Sequence, residues 1–133
     1  MTTSGPILTS LVKLAVILTL AVPAFTQAAP KYDPATETTV KGVVEELKLV
    51  PPSGAKPIVY LVLKTNPDTA QVFLCPKKFL DDVGVIFNVD DPIQVTGSKV
   101  KDNGSDLTLA REVVKVKGGE TLTLRFKDGK PVW

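Results

Sequence analysis

Histidine is absent from the 133 residues. That removes the side chain that titrates nearest neutral pH, so no histidine general base and no histidine-ligated zinc, copper or haem site can be built. Cysteine occurs once, as Cys75. A lone cysteine has no partner within its chain, which leaves an intermolecular bridge, a free thiol or a packed apolar role. A large excess of either charge is missing too: 16 basic and 14 acidic residues leave +2, and the two signs are interspersed. A dedicated duplex-DNA binder needs a net basic face to displace counterions, so that partner is not expected. The acid pairs Asp81-Asp82 and Asp90-Asp91 are chain neighbours without EF-hand-like spacing, so no metal site is expected. No cofactor is expected either. No catalytic constellation is visible; an enzyme built on carboxylates stays open, but a non-enzyme is the expectation.

What is present suits one folded domain, with 44% hydrophobic and 23% charged residues, too apolar for a disordered chain. The first segment reads as an export signal. Lys13 supplies the positive charge, "LAVILTLAV" at 14–22 the apolar core, and Pro23 breaks the helix. Thr26 and Ala28 are the small residues a signal peptidase needs, which puts the cut after Ala28. The apolar core is shorter than the roughly 20 residues a span takes, so no membrane span is expected after cleavage. The competing reading is an uncleaved anchor. The expected destination is periplasmic or extracellular.

Residues 29–37 form a polar, proline-bearing lead-in expected to be flexible, and the domain is expected over 38–133. "TTVKGVVEELKLV" (38–50) reads as a long strand, with Gly42 marking a bend or bulge. "PPSGAKP" is a loop, "IVYLVLKT" (58–65) a second strand and "QVFLC" (71–75) a third. The period then changes. "PKKFLDDV" predicts a short helix, with Pro76 at its first position and Gly84 stopping it. Strands at 92–101 and 106–117 flank "DNGS", a hairpin signal. "ETLTLRF", "KDGK" and "PVW" predict a C-terminal β-hairpin. Three strands, a helix and further strands make a mainly β fold: a small OB-fold-like barrel with one short helix between strands three and four. Another small barrel or an open sandwich competes.

Three stretches, "VTGSKV", "LAREV" and "LTLRFKDGKPVW", resemble a group of small exported bacterial proteins with this layout and a terminal tryptophan. More loosely, the chain is similar to the periplasmic bacterial OB-fold (BOF) family. The resemblance implies a periplasmic OB barrel that binds small ligands rather than catalysing. It hands over no catalytic residue, and Cys75 departs from the glycine expected before the helix proline.

Two sets of residues are candidates for chemistry. Cys75, just before the predicted helix, would sit near free N–H groups and beside Lys77 and Lys78, an arrangement that favours thiolate and supports a redox role or a disulfide-linked dimer. Its competing reading is a small buried hydrophobe. Tyr60 and Lys64 on strand two, with Gln71 and Phe73 on strand three, form a ligand platform if their faces coincide. The competing reading has these aromatics as core mass beneath the terminal hairpin, with Trp133 pinning the last strand. Arg111 with Glu112 and Arg125 with Asp128 read as surface pairs of small value. Lys41, Lys48, Lys64, Lys99, Lys101, Lys115 and Lys117 read as a solvated face.

The function expected is therefore an exported, non-enzymatic binding module for a small molecule, oligonucleotide or glycan. The alternatives are a thiol-dependent protein acting through Cys75, or a structural accessory subunit of an envelope complex that makes contact through its terminal hairpin.

Overall fold

The computed structural model describes residues 30–51 and 56–133; the expected signal segment at 1–28 lies outside the described residues. Among the described residues six strands form: β1 (Glu37–Val50), β2 (Ile58–Lys64), β3 (Thr69–Pro76), β4 (Pro92–Asp102), β5 (Ser105–Lys115) and β6 (Thr121–Thr123). One helix, α1 (Lys77–Val83), lies between β3 and β4.

β1 belongs to two ladders. Its first half pairs antiparallel with β4, from Glu37↔Ser98 to Val43↔Pro92. Its second half pairs with β2, from Val43↔Lys64 to Val50↔Ile58, with a register shift between Val44 and Glu46. Gly42 sits where one ladder hands over to the other. A Cβ there would come within 2.6 Å of the Lys64 carbonyl oxygen, so glycine is what lets the two backbones approach.

The strands join in the order β3-β2-β1-β4-β5-β6. This corrects the expected barrel with its separate terminal hairpin. A barrel closes through a ladder running between its first and last strands. Here β3 and β5 meet in parallel only at Val72↔Thr108 and Phe73↔Leu109, so the architecture is a curled six-stranded sheet. Beyond Phe73 the chain turns away through Pro76 into α1, and the ladder cannot extend in that direction. The terminal hairpin is reduced to one isolated bridge, Arg125↔Pro131. Proline has no N–H to donate, which limits pairing there. β6 instead pairs with β5 through Glu112↔Thr123, Val113↔Leu122 and Val114↔Thr121.

α1 starts one residue later than its sequence predicts, with Pro76 as its N-cap. Gly84, at φ 76°, ends it in the left-handed conformation, its N–H donating to the Leu80 carbonyl. Leu80 is the residue of α1 buried against the sheet. The lead-in also has structure. Pro34–Thr36 form a 3-10 turn whose cap, Asp33, accepts from the Ala35 N–H. The Asp33 N–H and the Thr36 hydroxyl both reach the Oγ of buried Ser98, at 3.0 and 2.8 Å, which ties the lead-in to β4.

The core lies inside the curl. Val44, Val59, Leu61, Leu63, Val72, Leu74, Ile93, Val95, Val113 and Leu124 are at most 1% exposed. Leu80, Val85 and Phe87 close one end of it. Alternation along β2 sends Val59, Leu61 and Leu63 inward and leaves Tyr60 and Lys64 on the other face.

Candidate functional site: an aromatic face held by a C-terminal strap

The outer face of the β2–β3 pair carries the residues singled out in the sequence. Tyr60 stands opposite Phe73, Val62 opposite Gln71, and Lys64 opposite Thr69. All four candidates, Tyr60, Lys64, Gln71 and Phe73, therefore share one face. The Tyr60 and Phe73 rings meet edge to face, centroids 5.3 Å apart, the geometry that aromatic quadrupoles favour.

Cys75 does not join them. Val59 pairs with Cys75 while Tyr60 pairs with Phe73, so Leu74 is an extra residue on β3. A bulge of this kind reverses the alternation beyond it. Cys75 consequently points into the core and is fully buried. Burial, with Asp81 adding to it, pushes its thiol up to about 12, the opposite of an activated thiolate. Lys77 and Lys78 are engaged by Asp81 and Asp82, at 2.7 and 3.2 Å.

The chain after β6 folds back as a strap over the Phe73 end of this face. The Phe126 N–H donates to the Lys130 carbonyl, and the Val132 N–H donates to that of Leu124. The strap delivers Trp133 onto two aromatic rings. Its centroid is 6.5 Å from Phe73 at an interplanar angle of 29°, and 5.9 Å from Phe79 of α1. Phe73 is thus partly covered, while Lys64 and Gln71 lie farther along the hairpin. Gln71 borders a polar recess with Thr69, Lys99, Asp106 and Thr108.

Arg125 sits at the centre of the strap. Its guanidinium lies 5.3 Å from the Trp133 ring centroid and 5.7 Å from those of Phe73 and Tyr32. Nη1 donates to the Gly129 carbonyl at 2.9 Å, but the buried Nε has no acceptor. Arg125 is 9% exposed and forms no ion pair with a described carboxylate. Burial draws its pKa downward. Three ring faces take the place of a counter-ion.

Tyr32 fastens the lead-in to the same cluster. Its hydroxyl donates to Glu37 at 2.5 Å, and Glu37 accepts two bonds from Arg111, at 2.7 and 3.1 Å. Arg111 and the Tyr32 hydroxyl hold the Glu37 carboxyl below its ordinary range. Burial, then the neighbouring Glu37, pushes Tyr32 up to about 12.

Arg111 and Arg125 were both expected to form local surface pairs. Arg111 instead reaches across to Glu37, and Arg125 is enclosed by rings. Their positions in the alternation hold no signal for this, because the partners come from the lead-in and from the last residue.

Two open spaces border the site. An apolar cleft of about 470 Å³ runs between α1 and the strap, lined by Lys56, Pro57, Pro76, Lys78, Phe79, Asp82 and Trp133. A polar groove of about 890 Å³, rich in threonine, lies among the start of β1, the β2–β3 turn and β5. Among the described residues no group of three His, Cys, Asp or Glu side chains converges to hold a metal, and no helix is long and apolar enough to cross a membrane.

Residues 36–122, most of the chain and nearly all of the sheet with α1, match the model of the MamS/MamX magnetosome protein family. The chain belongs to the MamS/MamX magnetosome protein family. This corrects the resemblance to the exported OB-fold and BOF groups, which rested on turns and strand pairs shared by many small β folds. The matched MamS/MamX segment contains Tyr60, Phe73 and Phe79 and stops before Arg125 and Trp133. A search of the curated proteins finds no match.

Proposed function

We propose that this protein is a non-catalytic accessory component of the magnetosome, and that it docks a protein partner through the cleft between α1 and Trp133. The observation that carries the reading is an apolar cleft that stays open beside an ordered aromatic cluster. Trp133 is 38% exposed although it stacks on Phe73 and contacts the tilted ring of Phe79, an amphipathic anchor of the kind that dominates protein interfaces. Family membership supplies the setting. The leading segment, with Lys13 ahead of residues 14–22, fits export of the domain to the far side of a membrane.

The test is fractionation of a magnetosome-forming host that expresses the tagged full chain. Wild-type protein is expected to co-purify with magnetosomes. A Phe79→Ala/Trp133→Ala double variant, shown to be folded by circular dichroism, is expected in the unbound fraction. Wild-type levels of association by the folded double variant would overturn the docking site. Blotting precursor against mature protein tests export, and an unshifted, membrane-bound product would favour the anchor.

A further inference from the structure

The chemistry of the cleft narrows the kind of partner it fits. Its walls are Pro57, Pro76, Phe79 and Trp133, an apolar surface that suits a flat or branched apolar side chain. Its rim is cationic. Lys56 is exposed and forms no ion pair with any described carboxylate, and residues 1–29 and 52–55 contain no acid that could pair with it. Lys78 is 85% exposed and is met only by Asp82, itself 63% exposed, at 3.2 Å. A pair this solvated gives way to a better-placed carboxylate at little cost. Arg125 lies behind the indole, nine-tenths buried and with an unanswered Nε, and adds a further positive charge behind the Trp133 wall.

We propose that the cleft takes an extended partner segment in which an aromatic side chain is flanked by carboxylates. The aromatic ring lies in the cleft against the exposed sides of Phe79 and Trp133, which contact one another, and the flanking acids meet Lys56 and Lys78. This rests on the docking reading above and names the partner's chemistry.

The chain contains a single tryptophan, so its emission reports this cleft alone. The probe is a capped hexapeptide with one phenylalanine among glutamates, titrated into the mature protein. Two controls replace the phenylalanine with alanine or the glutamates with lysine. The expected result is saturable change in Trp133 emission with the first peptide and roughly tenfold or greater weakening with either control, the scale of losing one hot-spot contact or reversing the charge match. A Lys56→Glu/Lys78→Glu variant alters only exposed side chains and is expected to reverse the preference between the glutamate and lysine peptides. Absence of saturation with the glutamate–phenylalanine peptide, or equal affinity for all three, would overturn the proposal. Concentration-dependent dimerisation in sedimentation that Phe79→Ala abolishes would overturn it too, by giving the cleft to a second copy. If magnetosome association depends on Phe79 and Trp133 while the peptides fail, only the acidic-aromatic specificity falls. If association is indifferent to them, the docking reading itself falls.

Discussion

The guanidinium of Arg125 lies 5.3 Å from the ring centroid of Trp133, with no described carboxylate paired to it. A buried arginine held by ring faces loses hydration and recovers only part of it through cation–π attraction and the bond to Gly129. Arg125→Met keeps the stem and removes the charge without leaving an opposite charge stranded. The expected change in unfolding free energy is within about 1 kcal/mol in either direction, measured by urea denaturation. Arg125→Glu puts an unpaired anion among the same rings and is expected to cost about 3 kcal/mol or more. A loss above about 3 kcal/mol for Met would mean that the guanidinium's contacts outweigh its desolvation.

Cys75 provides a check on the β3 bulge. With its thiol enclosed and raised to about 12, alkylation by iodoacetamide at pH 8 is expected only after unfolding, and rapid modification of the folded protein would contradict the register. Cys75→Ala should cost about 1 kcal/mol through a small cavity. Cys75→Ser is expected to be worse, by about 1–3 kcal/mol, because a hydroxyl there has no partner in the apolar core.

The order of elements was readable because turn chemistry and alternation are local. Asn103-Gly104 announces the β4–β5 turn, Pro76 and Gly84 bracket α1, and Ile58 to Leu63 form a nearly continuous apolar run bounded by turn residues. What escaped was set by pairing between distant segments. Period-two counting puts Cys75 beside Phe73, but the bulged residue Leu74 is defined only against Val59 and Tyr60 on β2. The same applies to closure: the sequence shows strands for a barrel, but not that β3 meets β5 only around Phe73. Alternation places Tyr60 with Lys64 and Gln71 with Phe73 on one face of each strand, but only the β2–β3 register makes the two faces coincide. The strap that covers part of that face was not legible, because Arg125 and Tyr32 are brought together from opposite ends of the domain.

The Tyr32–Glu37–Arg111 network predicts pH dependence at both extremes. Glu37 has its folded pKa lowered from 4.5, first by Arg111 and then by Tyr32. Its contribution is present above the unfolded value and is lost as pH falls through the folded one, so the stability curve should drop below pH 4.5. Tyr32 has its pKa raised from 10.0 to about 12. The raised value means that its contribution is complete below pH 10 and disappears as pH climbs toward 12. Glu37→Gln should flatten the acid limb and lower neutral stability by about 1 kcal/mol, the scale of a partly exposed bidentate pair. Phenol absorbance during an alkaline titration should show delayed ionisation of Tyr32 in the wild type and an earlier one in Glu37→Gln, since loss of the neighbouring charge favours phenolate.

The contact between Gly129 and Tyr32 tests whether the strap and the lead-in hold one another. Gly129 has φ 93°, and a Cβ there would lie 2.7 Å from the Tyr32 ring carbon Cδ1. Gly129→Ala therefore meets two penalties, a backbone conformation that side chains disfavour and a collision with a ring whose hydroxyl is anchored on Glu37. The expected loss is about 2–3 kcal/mol, together with a shift in Trp133 emission as the strap lifts from Phe73. Tyr32→Ala alone should cost about 1–2 kcal/mol through lost packing and the lost hydrogen bond. Combined, the two changes should destabilise by clearly less than their sum, because removing the ring removes the collision and leaves only the backbone term. Strict additivity in a urea-denaturation cycle would mean that Tyr32 does not brace the strap, and the link between lead-in, Arg125 and the docking cleft would then have to run through the sheet alone.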